Sequence, residues 1–189
     1  MNELIKPISL FLQSETPQAW VNEAIKPDNF SILLIDHLIC ELKAAQSAMF
    51  LIRKYAIDKE GGDALLAWLQ PFEKFIYKRE GDWRELPFKN KLTKSVIPRS
   101  GSKYGQDLID KMVLLIKEEL HHFYQVLEMM DHYSIEYRSI TPSRYAKGML
   151  RHVKTHEPEA LIDKLICAVR HNAYSFGMTT LGLAPNLSV

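Results

Sequence analysis

A chain of 189 residues, 47 % hydrophobic and 25 % charged, has the make-up of one ordinary globular domain with room for a substantial core. Its formal net charge of +1 excludes a global basic field, so any nucleic-acid contact must come from a local patch. No apolar run approaches the ~20 residues of a membrane span, and Met1 to Gln13 lacks the basic start and cleavage site of a signal peptide. A cytoplasmic protein with no membrane partner is expected. Cys40 and Cys167 both lie in apolar helical runs and read as reduced core thiols.

Strand signals are nearly absent, and the pattern predicts an all-α fold. In the N-terminal segment, residues 1–27, Thr16-Pro17 starts a short helix through Ile25. Residues 28–57 read as a long helix with Asp28 as N-cap, ending before Gly61-Gly62. From Asp63 to about Lys78 the pattern is again helical, but Pro71 kinks it or divides it in two. Residues 80–105 form an irregular stretch broken by Gly81, Pro87, Pro98, Gly101 and Gly105. A long helix at 106–132 follows, then one from Pro142 or Ser143 to about Val153. A last helix at 157–176 is apolar at Leu161, Ile162, Leu165, Ile166 and Val169, and 177–189 form a tail.

Two features carry chemistry. Within the 106–132 helix, Glu119 and His122 stand three apart and share a face, the spacing by which four-helix bundles hold metal ions. Glu118 and His121 have the same spacing, so spacing alone leaves the register open; a solvated polar face is the ordinary alternative. In the 28–57 helix, Leu34, Leu38, Glu41, Ala45, Ala48 and Ile52 follow a 3-4-3-4 rhythm. Glu41 therefore falls inside an apolar stripe, where an unpaired carboxylate is costly. A cation explains it well; a Glu reaching from the stripe's edge to water is the alternative. His37, one turn earlier, is placed to hydrogen-bond it.

The irregular stretch holds Lys89, Lys91, Lys94, Arg99 and Lys103, interleaved with Phe88, Tyr104 and the nearby Trp83. Cations position phosphates and aromatics stack on unpaired bases, so this loop is a candidate RNA contact, extended by Arg144 on the next helix.

Taken in order, Asp36-His37-x-x-Cys40-Glu41-Leu42-Lys43-Ala44-Ala45-Gln46, then Glu118-Glu119-Leu120-His121-His122-Phe123-x-Gln125-Val126-Leu127-Glu128, then Ser143-Arg144-Tyr145-Ala146, then Glu157-Pro158 with Leu161 to Ile166 resemble one family. It is the ferritin-like di-iron tRNA hydroxylases, which hydroxylate the isopentenyl group of 2-methylthio-isopentenyl-adenosine beside the anticodon. The resemblance runs from about residue 28 to about residue 166. It implies a ferritin-like helical bundle, an oxygen-dependent oxidoreductase with two irons, tRNA as partner and an external electron donor. Glu41 would be the first-helix iron ligand and Glu119 with His122 the second-helix pair, the register being that of the family's Glu-x-x-His-Phe motif. His37, Glu118, His121 and Asn172 stand beside them as supporting or alternative ligands.

The resemblance stops in the last helix. The family continues there as Ile-Glu-Ala-Arg-Ser-Cys-Glu-Arg-Phe, whose first Glu is a ligand; this chain has Asn172, and a neutral amide is a poor substitute. The chain reaches Val189 with the fourth core helix missing, which reads as a truncation or frameshift. A monomer is then expected to bind iron weakly and not to hydroxylate. The alternative is a non-catalytic bundle, or a homodimer in which two chains pool four carboxylates and two histidines.

Overall fold

The computed structural model describes residues 17–86, 91–92 and 94–140. It is all-α: apart from an isolated bridge between Ile57 and Pro98, no strand pairing occurs among the described residues. The chain divides into two compact units, residues 1–36 with 140–189 and residues 37–139. The helices expected at 142–153 and 157–176, the tail at 177–189, and Cys167 lie outside the described residues.

Helix α1 spans Gln18–Ala24, and Pro17 rather than a hydroxyl residue precedes it without a side-chain cap. Helix α2 spans Pro27–Tyr55. Asp28 therefore sits in the first turn and is not the N-cap: Pro27 is pre-set for the first helical position, and the carboxylate still meets the positive end of the helix dipole. At the other end the Ile52 carbonyl accepts from both Ala56 and Ile57, at 2.8 and 3.0 Å, and the helix closes.

Helix α3 spans Lys59–Glu73 and so begins four residues before the expected Asp63. Gly61 and Gly62 read as breakers but lie within its first turn, where the Asp58 side chain accepts from the Gly61 amide at 2.7 Å. Their smallness serves packing. A Cβ on Gly61 would stand 3.2 Å from Val96 Cγ1, and one on Gly62 would stand 3.2 Å from Arg53 Nε. Pro71 neither ends nor divides the helix. It costs one backbone donor, and the chain then widens into a π turn at Lys74–Lys78 that closes on Arg79 in the left-handed conformation, φ 58°. Within the irregular stretch Trp83–Glu85 form a 3₁₀ turn. Helix α4 spans Gln106–His132, with Gly105 at its N-cap.

In the unit 37–139 these helices meet through one apolar core. Leu38, Leu42 and Ala45 of α2, Leu65 and Leu69 of α3, and Ile109, Ile116, Leu120 and Phe123 of α4 are fully buried. Phe72 meets Phe123 edge-to-face at a centroid distance of 5.8 Å, locking α3 to α4. Gln46 donates to Glu73 at 2.6 Å and accepts from the Tyr77 hydroxyl at 3.0 Å, tying α2 to α3 and the π turn. The loop before α4 is pinned by backbone: Arg99 N–H donates to Ala56 O at 2.9 Å, and Gln106 Nε2 donates to Val96 O at 2.8 Å.

Truncating Phe123 to Ala should cost about 3–5 kcal/mol, since its ring has no solvent to fall back on. Asp58→Ala should cost about 1 kcal/mol through the lost cap. Urea unfolding followed by circular dichroism gives both values.

Candidate metal centre

Glu41 lies on α2 between the buried Leu38 and Leu42, and its side chain is only 12 % exposed. On α4, Glu119 and His122 flank the fully buried Leu120 and precede the fully buried Phe123. Helical periodicity thus leads each carboxylate to the border of an apolar face. Packing α2 against α4 brings those borders together. Glu41, Glu119 and His122 each offer a ligand atom, and the three atoms all lie within 4.8 Å of one another. His122 Nδ1 stands 3.7 Å from Glu41 Oε2, while His37 Nε2 stands 3.0 Å from the other oxygen, Glu41 Oε1.

The electrostatics show the strain of this arrangement. Glu119 is pushed up to about 7, first by burial, then by a hydrogen bond to Glu41 and by its negative charge; His122 opposes the shift and Glu118 adds to it. Near neutral pH Glu119 thus holds a proton for much of the time, hydrogen-bonded to Glu41. A cation in its place would satisfy both oxygen sets and the imidazole together, so the donor set fits a divalent metal with oxygen and nitrogen ligands.

Glu118 and His121 are exposed and stand outside this cluster. The His121 and His122 rings lie 6.4 Å apart at 42°, as adjacent residues on a helix must diverge. Cys40 is a reduced thiol, half-buried rather than set in the core. Asn172 lies outside the described residues, as do Lys89, Phe88 and Arg144. Of the remaining loop cations, Lys94 pairs with Glu60, Arg99 donates to Lys54 O at 3.3 Å, and Lys103 lies 5.4 Å from the Tyr104 ring. Lys91 is exposed. The structure spreads these residues along the loop and gives most of them partners in the chain. Sequence reasoning missed an aromatic cavity beside the C-terminal half of α4; Trp83 was its one visible sign.

An all-α bundle with a carboxylate–carboxylate–imidazole cluster between two long helices has the arrangement by which helical bundles can hold a metal ion. Comparison places it more closely. The model of the tRNA-(MS[2]IO[6]A)-hydroxylase (MiaE) family matches residues 3–185, and the chain belongs to that family. A Salmonella typhimurium protein named tRNA 2-(methylsulfanyl)-N(6)-isopentenyladenosine(37) hydroxylase is 53 % identical over 173 residues, 92 % of this chain and 64 % of that protein. A Pseudomonas putida protein of the same name is 31 % identical over 163 residues, 86 % of this chain and 56 % of its own length. The chain therefore spans somewhat less than two thirds of the curated relatives it matches.

The raised Glu119 carboxyl makes a prediction for the metal-free chain. A carboxyl raised from 4.5 to about 7 favours folding fully below 4.5 and loses that contribution as pH rises through about 7. Glu119→Gln should therefore be more stable than the parent at pH 8, with the gap closing as pH falls toward 5. Denaturation of both chains with chelator present tests this; a gap independent of pH would contradict it.

Proposed function

We propose that the chain acts as a tRNA-modifying hydroxylase, with iron held by Glu41, Glu119 and His122. Its substrate would be the isopentenyl group of the 2-(methylsulfanyl)-N(6)-isopentenyladenosine named in both relatives. The observation that carries the reading is the convergence of these three side chains on one point between α2 and α4. Iron bound there supplies the activation of dioxygen needed to hydroxylate an unactivated carbon.

The chain's own residues prepare that site. Glu119 yields its proton when a cation arrives, so metal uptake is accompanied by proton release near neutral pH. His37 holds one oxygen of Glu41 and leaves the other facing His122. Leu38, Leu42, Leu120 and Phe123 surround the carboxylates with apolar groups and keep water from one side of them. Reducing equivalents would come from an external donor. A full two-metal site takes four carboxylates and two histidines, twice what this cluster offers. A second copy of the chain related by a two-fold axis would supply an equal set, which keeps a dimer-completed bundle as the second reading.

Anaerobic titration with ferrous iron separates the cases. Near two irons per chain means that the chain completes its own site, near one means a site shared by two copies, and near zero overturns the reading. Glu119→Ala and His122→Ala should each weaken binding at least about tenfold. Nucleoside analysis of tRNA from a hydroxylase-deficient host expressing the chain then tests the activity. The hydroxylated nucleoside is expected where a complete ligand set is assembled, and Glu119→Ala then abolishes it; a single chain limited to this cluster gives none. Iron bound without product leaves a non-catalytic metal-binding bundle.

A further inference from the structure

The unit 37–139 contains a cavity of about 260 Å³ that the metal cluster does not use. It is lined by Phe75, Trp83, Leu127, Met130, Asp131, Ile135, Glu136 and Tyr137, so three aromatic rings and three aliphatic side chains meet two carboxylates. That is below the roughly 300–1,000 Å³ of sites for drug-sized ligands, and suits one ring system rather than a whole nucleotide.

The walls are held in place. Phe75 and Tyr137 pack at 5.7 Å with their planes tilted by 34°, and the Tyr137 hydroxyl donates to Ile76 O in the π turn at 3.1 Å. Trp83 leans on Tyr124 at 5.7 Å. Two exposed arginines flank the cavity. Arg84 lies 4.5 Å from the Trp83 ring and donates to Asp131 at 2.7 Å; Arg79 donates to Ser139 at 3.1 Å and acts electrostatically on Tyr137. Aromatic walls give any base a surface to pack on, carboxylates accept hydrogen bonds from an exocyclic amine, and flanking arginines meet phosphates.

We propose that this cavity seats one unpaired, amine-bearing nucleobase of the RNA partner, adenine or cytosine, with Arg79 and Arg84 on the adjoining phosphates. The proposal rests on the reading that RNA is the partner, and it concerns a base other than the one at the metal cluster. Uracil offers no exocyclic amine to Asp131 and Glu136 and should be held less well.

The test uses the full, metal-free chain and fluorescently labelled oligoadenylate, oligouridylate and tRNA, read by anisotropy. Oligoadenylate should bind about tenfold tighter than oligouridylate. Trp83→Ala should weaken oligoadenylate about five- to a hundredfold, as loss of one stacking partner does. Tyr137→Phe should retain affinity and Tyr137→Ala lose it, with circular dichroism confirming that each variant is folded. Arg79→Ala and Arg84→Ala should weaken both oligonucleotides alike and lower the salt slope by about one each. Equal binding of the two oligonucleotides, unaffected by Trp83→Ala, overturns the pocket while tRNA binding preserves the hydroxylase reading. Binding of tetramethylammonium in place of oligoadenylate overturns it in favour of an organic-cation site. Loss of tRNA binding as well overturns both.

Discussion

Two carboxylates set into the apolar seam between α2 and α4 are the constraint around which the unit 37–139 is organised. Glu41 and Glu119 stand close enough to share a proton, in surroundings that make two bare charges expensive. The residues beside them are large and fully buried: Leu38 and Leu42 on α2, Leu120 and Phe123 on α4. Phe123 is then braced by Phe72 of α3 at 5.8 Å and by Phe75 of the π turn at 6.4 Å. The electrostatic strain at the cluster is sustained by ordinary hydrophobic packing a few ångströms away.

How far the sequence foretold this depends on whether the deciding interaction was local. The bounds of α4 were legible because Gly105 and the unbroken periodicity from Gln106 to His132 are local signals. Glu41 stood out because an acid in an apolar stripe violates the pattern around it. The start of α3 was not legible. Gly61-Gly62 carries the signature of a break, and only the approach of Val96 and Arg53 shows why those positions must be small. Nor does spacing choose between Glu119–His122 and Glu118–His121. That depends on which face of α4 meets α2, a tertiary fact. The cations of residues 91–103 were visible as a patch, with Tyr104 beside Lys103, but Glu60 and Lys54 as their partners were not, since those contacts form only once the loop lies against its neighbours.

Those loop contacts are exposed, and exposed ion pairs contribute only about 0–1 kcal/mol. The Lys94–Glu60 pair and the Arg84–Asp131 pair can therefore be exchanged for phosphate contacts at small cost in stability. The fold keeps its cations in register without committing them. Rigid apolar packing around the carboxylates and lightly held charges elsewhere would suit the two proposed roles: ligand geometry tolerates little error, whereas an RNA backbone is followed by adaptable side chains.

The π turn at Lys74–Lys78 places one more residue in its coil than an α-helical path would hold. It behaves as a spacer of one residue, threaded between the helix that braces Phe123 and the segment bearing Trp83 and Arg84. Deleting one residue there would let the helix regularise. Everything after it would turn by about 100° relative to α3. Tyr77 would leave Gln46, the Ile76 carbonyl would turn from the Tyr137 hydroxyl, the aromatic cavity would lose its alignment, and Phe75 would turn away from Phe123. A change in length of a single codon would thus reach both the cavity, through Tyr137, and the carboxylate seam, through Phe123, so the length of this turn is constrained from two sides.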